Sequence, residues 1–519
     1  MFVIYILHFN CNYSSKFKFH ENKKYDISVR DSNFPLKICH YALDEIQSFY
    51  NIKLLINPEI KKDTLQYYSI TNFAWFNESI KKNPEQMQVV KNVINKTAYP
   101  APYILFGPPG TGKTATLVEL ICQAIVCQPR LLVTLRSRVL VCATSNAAVD
   151  EITIRLLKYL PAEIMCRIYS QSYDRSKVNK TILPCSYFLK DYLGFIRTAL
   201  HFQIILVTNI TCACLLNTDL GRNLFSYVII DEASQATEPE TILPFLFGPL
   251  IPMMKSQVVL AGDPYQLGPV ILSRIAKPLL GISMLERLMN FPMYKQDKDN
   301  NYDSRYVTKL KQNYRSHECI LHVSNQEFYE SELIACGDGR IINSAIGWSK
   351  LPNKYFPIIF HSSYGIEKSK KYSSSMYNLE EISIIMKYLN LLLGVTFGDI
   401  KIEQGHIGIV SPFKQQKLEI IERLKKRKMN SITVGSVEEF QGSEKEIIIL
   451  TTVRSRVFNH DGIQNIGFLS EERRFNVALT RAKCLLIIIG NPTVLETNKH
   501  WKVLLEYCRK NNAFTKSFK

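Results

Sequence analysis

Short apolar runs that alternate with helical segments set the strongest limit on how this chain can fold. From about residue 83 onward, mostly apolar runs of four to six residues are separated by stretches with helical periodicity; the first are YILF, RVLVCA, IILVT, YVIID and QVVLAG. Runs that are apolar on both faces are typical of a parallel sheet covered by helices on both sides. The pattern therefore predicts an α/β fold.

The same pattern occurs twice. A polar segment at residues 291–306, FPMYKQDKDNNYDSRY, interrupts it, and it resumes with PIIFH, HIGIVSPF, EIIILTT and CLLIIIGN. We therefore predict two tandem α/β domains, at residues 81–300 and 301–519. Residues 1–80 are rich in aromatic residues and lysine and form a separate region. There YDISVRD alternates like a half-buried strand, and HYALDEIQSFY is helical in pattern.

The charge of the chain restricts its partners. Its 64 lysines and arginines against 46 acidic residues give a formal net charge of +18. Such an excess favours a polyanion, either nucleic acid or an anionic membrane surface. No apolar run approaches the roughly 18 residues that a membrane-spanning helix needs, so no membrane span is predicted. The 13 cysteines show no zinc-ligand spacing, which favours reduced, buried thiols in an intracellular protein.

A phosphate-binding loop is the clearest functional motif. The segment GPPGTGKT at residues 107–114 fits G-x-x-x-x-G-K-[ST], follows the run YILF and precedes a helical pattern. Backbone N–H groups of such a loop surround phosphate oxygens, Lys113 neutralises their charge, and the Thr114 hydroxyl ligates Mg²⁺. The predicted nucleotide contacts are Gly107, Pro108, Pro109, Gly110, Thr111, Gly112, Lys113, Thr114 and Ala115.

Acidic and amide side chains follow two later apolar runs. Asp231 and Glu232 end YVIIDE, where a carboxylate lies beside the phosphate loop in this kind of fold. Asp231 is predicted to hold Mg²⁺, and Glu232 to orient and deprotonate the attacking water. Gln266, in LAGDPYQLGPV, is the candidate sensor of the γ-phosphate.

Further motifs carry a family resemblance. They are NPEQMQVV (83–90), VCATSNAAVDEI (141–152), LKQNYRSH (310–317), VGSVEEFQGSEKEIIILTTVRS (434–455) and RFNVALTRAK (474–483). In this order they resemble superfamily-one RNA helicases of the up-frameshift type. The residues within the motifs resemble those of the Armitage and Moloney-leukaemia-virus-ten group, which is associated with small-RNA silencing. The resemblance implies two tandem RecA-like domains that bind ATP and Mg²⁺. It also implies that residues 1–80 are a truncated accessory β-barrel and stalk.

The resemblance also implies roles for individual residues. Gln86 and Tyr314 would bind adenine, and Glu439 the ribose. Arg315 and Arg481 would contact phosphates from the second domain. With these two arginines, the predicted catalytic set is Lys113, Asp231, Glu232, Gln266, Arg315 and Arg481.

Single-stranded RNA is predicted to cross both domains opposite the nucleotide cleft. Small polar side chains after strands can contact phosphates and sugars without reading bases. The candidates are Ser145, Asn146, Thr208, Val434, Gly435 and Ser436. Pro412 and Phe413 are candidates for stacking against a base, and packing of Phe413 in the core is the alternative.

Arg474 and Arg481 are seven residues apart, a spacing that places both on one face of a continuous helix. Between them, Val477 and Ala478 are expected to pack inward. We interpret Arg481 as an arginine finger that reaches the phosphates only when the two domains close, and Arg474 as a residue that holds the motif's own structure.

The favoured function is an ATP-dependent RNA helicase or translocase. By resemblance it moves 5′ to 3′, acts in small-RNA silencing (piRNA or siRNA) or mRNA regulation, has Argonaute- or Piwi-type partners, and is found in the cytoplasm, with ribonucleoprotein granules as one location. Two alternatives stay open: a DNA helicase of the same superfamily, and an ATP-gated RNA clamp or scaffold that does not unwind.

Overall fold

The computed structural model describes residues 33–47, 52–59, 70–127, 137–189, 201–216, 225–247, 256–371, 373, 375–460 and 463–516. The predicted strand in YDISVRD lies outside these residues, as does most of the predicted accessory barrel. The predicted helix in HYALDEIQSFY corresponds to the helix Phe34–Gln47. None of the described helices is long and apolar enough to cross a membrane.

The first large sheet has eight strands in the described part of the chain. They are β1 (Tyr103–Phe106), β2 (Val139–Ala143), β3 (Met165–Tyr169), β4 (Ser186–Phe188), β5 (Ile204–Thr208), β6 (Tyr227–Asp231), β7 (Gln257–Gly262) and β8 (Val307–Lys309). Their order is β4-β3-β5-β2-β6-β7-β1-β8, and every neighbouring pair is parallel. This sheet and its helices are called lobe 1. Because β8 belongs to it, lobe 1 extends beyond the predicted boundary at residue 300.

The remaining described strands are β9 (Gln312–Asn313), β10 (Ile334–Ala335), β11 (Ile358–Ser362), β12 (Lys368–Ser369), β13 (Met376–Tyr377), β14 (Thr396–Phe397), β15 (Ile400–Lys401), β16 (Ile407–Val410), β17 (Thr433–Gly435), β18 (Lys445–Thr451), β19 (Phe458–His460), β20 (Ile463–Asn465), β21 (Ala482–Gly490) and β22 (Phe514–Thr515). Six of them form the second large sheet, in the order β17-β16-β18-β21-β11-β22, again with parallel neighbours. This sheet and its helices are called lobe 2.

Helices cover both sheets. In the described residues they are Phe34–Gln47, Ile52–Ile56, Glu78–Lys81, Pro84–Ile94, Lys113–Val126, Asn146–Leu156, Glu238–Phe245, Lys277–Leu280, Met284–Leu288, Glu318–Phe328, Gly339–Ile342, Leu379–Leu392, Lys414–Lys426, Glu472–Leu479, Pro492–Leu495 and Lys499–Lys510. In β21, Leu486 and Ile488 pack on one side of the sheet, while Leu485 and Ile487 belong to a second apolar cluster. Both faces of the strand are therefore buried, as its uniformly apolar sequence predicts.

Candidate active site

The phosphate loop connects β1 to the helix that begins at Lys113. Gly110 and Gly112 have φ angles of 68° and 82°, which glycine adopts without steric cost. A Cβ on Gly110 would lie 2.6 Å from the Cβ of Arg315, so a larger residue would push the loop away from lobe 2. All the predicted loop residues lie in this turn and the first turn of the helix, whose free N–H groups suit phosphate oxygens.

Lys113 reaches two carboxylates at the end of β6. Its Nζ lies 2.7 Å from Glu232 Oε1 and 3.3 Å from Asp231 Oδ1. Burial disfavours the ammonium, but the two carboxylates outweigh burial and raise the pKa of Lys113. Burial likewise opposes ionisation of Glu232, yet Lys113 holds the pKa of Glu232 below its usual value. Burial raises the pKa of Asp231 despite the nearby ammonium. Glu232 is therefore ionised at neutral pH, as a base for water must be.

Glu232 also has an unusual backbone. Its φ is 53°, in the left-handed region that few residues other than glycine occupy. Its carboxylate accepts a hydrogen bond from Gln235 Nε2 at 2.6 Å, in addition to the one from Lys113. Strained residues that the surroundings hold in this way cluster at active sites.

The oxygen groups at this edge fit Mg²⁺. The chain offers the hydroxyl of Thr114, at the start of the helix, and the carboxylate of Asp231, both beside Lys113. Mg²⁺ prefers oxygen ligands and is commonly held by one or two protein groups together with phosphates and water.

The two lobes meet at Gln266 and Arg481. Arg481 is 1% exposed, and its Nη2 lies 3.5 Å from Gln266 Oε1. Burial, and then repulsion from Arg315, lowers the pKa of Arg481 to about 9. An anion between these guanidinium groups would offset that repulsion.

The environment of Arg474 differs. The helix Glu472–Leu479 ends before Arg481, which precedes β21 directly. The prediction that both arginines share one helix face is therefore wrong, since the helix does not continue for seven residues beyond Arg474. Val477 and Ala478 are buried, as predicted. Arg474 pairs with Glu438 at 2.7 Å and with Glu471 at 3.0 Å, which fits its predicted structural role.

The two predicted adenine residues, Gln86 and Tyr314, both lie beside the phosphate loop. Gln86 Nε2 donates to the carbonyl oxygens of Thr111 and Gly112, at 3.3 and 3.4 Å. The Tyr314 hydroxyl accepts from Asn83 Nδ2 at 2.8 Å. A Cβ on Gly112 would lie 2.6 Å from Gln86 Nε2 and 3.8 Å from Tyr314 Cδ2. The structure thus brings both predicted base contacts to one point beside the loop.

Glu439, the residue predicted to bind the ribose, lies beside β17. Its carboxylate lies 2.5 Å from Lys417 Nζ and accepts from the backbone N–H of Ser436, at the carboxyl end of β17. The glutamate that lies beside Arg315 is Glu444, with Oε2 2.7 Å from Arg315 Nε. Glu444 is therefore a further candidate for the nucleotide cleft, and the ribose contact of Glu439 stays a prediction.

We expect Glu444→Ala to lower ATP turnover about tenfold, because Arg315 loses the carboxylate that orients it. Glu439→Ala is the matched control: it also removes a partly exposed glutamate that pairs with a lysine, and turnover should stay within about twofold. Steady-state ATPase rates of the two variants compare the two candidates. A larger loss in the Glu439 variant would favour Glu439 as the nucleotide-cleft residue.

The predicted RNA residues of lobe 1 lie together at the carboxyl edge of its sheet. Ser145 follows β2, is exposed, and caps the next helix by accepting from the N–H of Ala148. Thr208 ends β5, which pairs with β2 so that Thr208 lies opposite Ala143. Asn146 Oδ1 accepts from Arg167 Nη2 at 2.7 Å, which fixes its amide.

In lobe 2 the predicted RNA residues also lie at a carboxyl edge. Val434, Gly435 and Ser436 are at the end of β17, and the Ser411 N–H donates to the Gly435 carbonyl oxygen at 2.9 Å. Pro412, just after β16, is partly exposed. Phe413 is only 5% exposed, and the guanidinium of Arg454 lies 5.0 Å from its ring centre. The core-packing alternative describes Phe413 better than base stacking does.

Sequence reasoning missed a set of buried polar residues at the lobe junction: Asp263, Asn313, Tyr329 and Asn476. Asn313 Nδ2 donates to the Pro109 carbonyl oxygen at 2.6 Å, which ties the phosphate loop to the segment that leads into lobe 2. Asp263, Asn313 and Asn476 lie inside the motifs LAGDPYQLGPV, LKQNYRSH and RFNVALTRAK, which are a local signal. No short sequence motif singles out Tyr329, because its hydrogen-bond partners are distant in sequence.

Comparison with known proteins identifies related sequences. Two family models, both described as AAA domains, match residues 81–192 with 197–274 and residues 280–493. The "Putative helicase mov-10-B.1" of Danio rerio is 38% identical over 96% of this chain and 50% of its own length. The "RNA helicase Mov10l1" of Mus musculus is 38% identical over 87% of this chain and 38% of its own. The "Probable RNA helicase armi" of Drosophila melanogaster is 29% identical over 98% of this chain and 45% of its own. The chain thus spans half or less of the length of these relatives.

Proposed function

Because the chain belongs to the superfamily-one helicase family of the MOV-10 and Armitage proteins, we propose that it is an ATP-dependent RNA helicase. The observation that carries this proposal is the junction of the lobes. Lys113, Asp231 and Glu232 of lobe 1 lie on one side, and Arg481 of lobe 2 is buried against Gln266 on the other. Each lobe supplies side chains that the other lacks.

The roles of these residues in hydrolysis follow from their charges. Lys113 and the loop N–H groups hold the β- and γ-phosphates, and Mg²⁺ bound by Thr114 and Asp231 would neutralise further phosphate charge. Glu232 accepts the proton of the attacking water. Arg315 and Arg481 stabilise the negative charge that spreads over the transferring phosphoryl oxygens. Since Arg315 and Arg481 reach the site from the side of lobe 2, hydrolysis is coupled to closure of the cleft.

RNA would run along the carboxyl edges of the two sheets. In lobe 1, β2 lies three strands from β1 in the sheet, so Ser145 is roughly 14 Å from the phosphate loop at about 4.8 Å per strand. In lobe 2, Arg481 is at the amino end of β21, whereas Pro412 and Ser436 follow the carboxyl ends of their strands. The proposed RNA residues of lobe 2 are therefore at the opposite end of the sheet from Arg481, and those of lobe 1 share the carboxyl edge with the phosphate loop.

Cationic and aromatic side chains extend the lobe 1 edge beyond β3 and β4. Phe188 is partly exposed, and the exposed Arg175 lies 4.3 Å from the centre of its ring. Tyr169 is buried and stacks beneath Phe188, with ring centres 5.2 Å apart. Arginine combined with aromatic rings suits single-stranded nucleic acid. The net charge of +18 favours the same partner.

The finer assignments are also proposals. We infer 5′-to-3′ movement on single-stranded RNA, a role in piRNA- or siRNA-mediated silencing or mRNA regulation, Argonaute- or Piwi-type partners, and a cytoplasmic location that includes ribonucleoprotein granules. Their support is the similarity to MOV-10 and Armitage proteins.

The test measures ATP turnover of the purified chain without nucleic acid, with single-stranded RNA and with single-stranded DNA, and strand displacement on RNA duplexes with 5′ or 3′ tails. We expect RNA to raise turnover more than DNA and to see displacement from 5′ tails. Turnover that RNA leaves unchanged would contradict the proposal. Stronger stimulation by DNA would favour the DNA helicase, and RNA-stimulated turnover without displacement would favour the clamp.

A further inference from the structure

Tyr329 lies where the two lobes touch. It follows the helix Glu318–Phe328, which packs against β21 and the helix Glu472–Leu479 of lobe 2. Its side chain is fully buried. The centre of its ring is 6.4 Å from that of Phe106 and 5.8 Å from that of Tyr265, both in lobe 1. The tyrosine is thus held by lobe 2 and packed against lobe 1.

The hydroxyl of Tyr329 is bonded to both lobes. It donates to Asp263 Oδ2 of lobe 1 at 2.8 Å and accepts from Asn476 Nδ2 of lobe 2 at 2.7 Å. Asn476 Nδ2 also donates to the Tyr265 carbonyl oxygen at 2.9 Å. The two hydrogen bonds of the Tyr329 hydroxyl are buried, where a lost partner is costly.

In lobe 1 this hydrogen-bond network orients the side-chain amide of Gln266. Asp263 Oδ2, the atom that accepts from Tyr329, also accepts from Gln266 Nε2 at 2.7 Å. That bond orients the amide so that its oxygen, Oε1, faces Arg481 Nη2 at 3.5 Å.

The lobe 2 end of the network leads to Arg481. The Thr480 hydroxyl donates to the Asn476 carbonyl oxygen at 2.9 Å and accepts from Arg481 Nη2 at 3.0 Å. Asn476 therefore lies between the Tyr329 hydroxyl and the guanidinium.

We propose that Tyr329 is a positioning residue for ATP hydrolysis. Its hydroxyl orients the Gln266 amide through Asp263 and the Arg481 guanidinium through Asn476, so that the two groups face each other between the lobes. It contacts neither the phosphate loop nor the predicted adenine residues, so it acts on turnover and not on nucleotide binding. The inference rests on the proposed ATPase activity.

Tyr329→Phe tests this role, because it removes the hydroxyl and leaves the ring. We expect kcat for RNA-stimulated ATP hydrolysis to fall about tenfold, as loss of one hydrogen bond to a charged group implies, with KM for ATP within about twofold. Tyr294→Phe is the matched control. Tyr294 is also fully buried, and its hydroxyl donates to the Pro102 carbonyl oxygen at 2.7 Å within lobe 1. Tyr294→Phe should lower the thermal unfolding midpoint by a similar amount and leave kcat unchanged.

A double-mutant cycle separates positioning from general damage. In a Gln266→Ala background, Tyr329→Phe should lower kcat by clearly less than the roughly tenfold expected in the wild-type background, because one of the two groups that it positions is gone. Losses that multiply in the double variant, or a kcat for Tyr329→Phe equal to that of Tyr294→Phe, would overturn the inference while the proposed function stands. If the wild-type chain hydrolyses no ATP with or without RNA, the proposed function fails, and the inference fails with it.

Discussion

Arg481→Met is expected to lower ATP turnover by about 10³- to 10⁵-fold, the range associated with loss of an arginine finger. Methionine fills most of the same space without charge, so it tests the guanidinium itself. KM for ATP should change much less, because the phosphate loop and Gln86 belong to lobe 1. Single-turnover and steady-state ATPase assays at saturating ATP measure the loss.

The stability of this variant should not fall in parallel. The pKa of Arg481 lies below its usual value because burial and Arg315 disfavour the charged form. A base whose pKa is lower in the folded state destabilises that state at neutral pH, so removing its charge relieves a cost. The guanidinium also donates to the Val477 carbonyl oxygen and the Thr480 hydroxyl, and the loss of these hydrogen bonds offsets that relief. The thermal unfolding midpoint of Arg481→Met should therefore stay close to that of the wild type.

Arg474→Met is the control and should give the opposite pattern. Arg474 is ion-paired with Glu438 and Glu471, and its guanidinium lies 4.9 Å from the ring centre of Phe468. Its loss should lower the unfolding midpoint while turnover stays within about tenfold of the wild type. If the two variants lost turnover equally, Arg481 would have no special role.

The contrast between these arginines shows what the sequence can and cannot predict. The uniformly apolar runs predict both parallel sheets, and the parallel topology then places the carboxyl ends of β1 and β6 at one edge, with Lys113 beside Asp231. Local pattern and topology suffice for that half of the site. The seven-residue spacing predicts a shared helix face only where the helix is continuous, and this helix ends at Leu479.

The same limit applies to the glutamates and to the lobe junction. Gly442, with a φ of 77°, lies in the turn that separates Glu439 from Glu444, and spacing alone does not show which glutamate reaches Arg315. Tyr329 meets Asp263 and Asn476 across 66 and 147 residues. Such contacts arise from packing of the lobes, which no short motif encodes.

Lys113→Ala is expected to lower ATP turnover by at least about 10²- to 10³-fold, because the phosphates lose their closest cation. RNA affinity without nucleotide should remain within about threefold of the wild type. In lobe 1 the Lys113 ammonium is paired with Asp231 and Glu232 after β6, whereas Ser145 follows β2 and Thr208 ends β5. In lobe 2 the proposed RNA residues follow the carboxyl ends of their strands. Loss of RNA binding both with and without ATP would show that the two sites are not separate.

The same variant has a predictable pH dependence. Lys113 holds the pKa of Glu232 below its usual value, so this pair stabilises the fold above the unfolded pKa of glutamate, and that contribution is lost as pH falls through the lower folded value. Without Lys113, burial and mutual repulsion instead raise the pKa values of Glu232 and Asp231, which makes ionised carboxylates unfavourable in the fold. The variant should therefore be destabilised more at pH 8 than at pH 5 relative to the wild type, since protonation of these carboxyl groups is favoured at the lower pH and reduces their repulsion. Thermal unfolding at the two pH values measures this difference, and a destabilisation that is equal at both would mean that Lys113 does not neutralise the acidic pair.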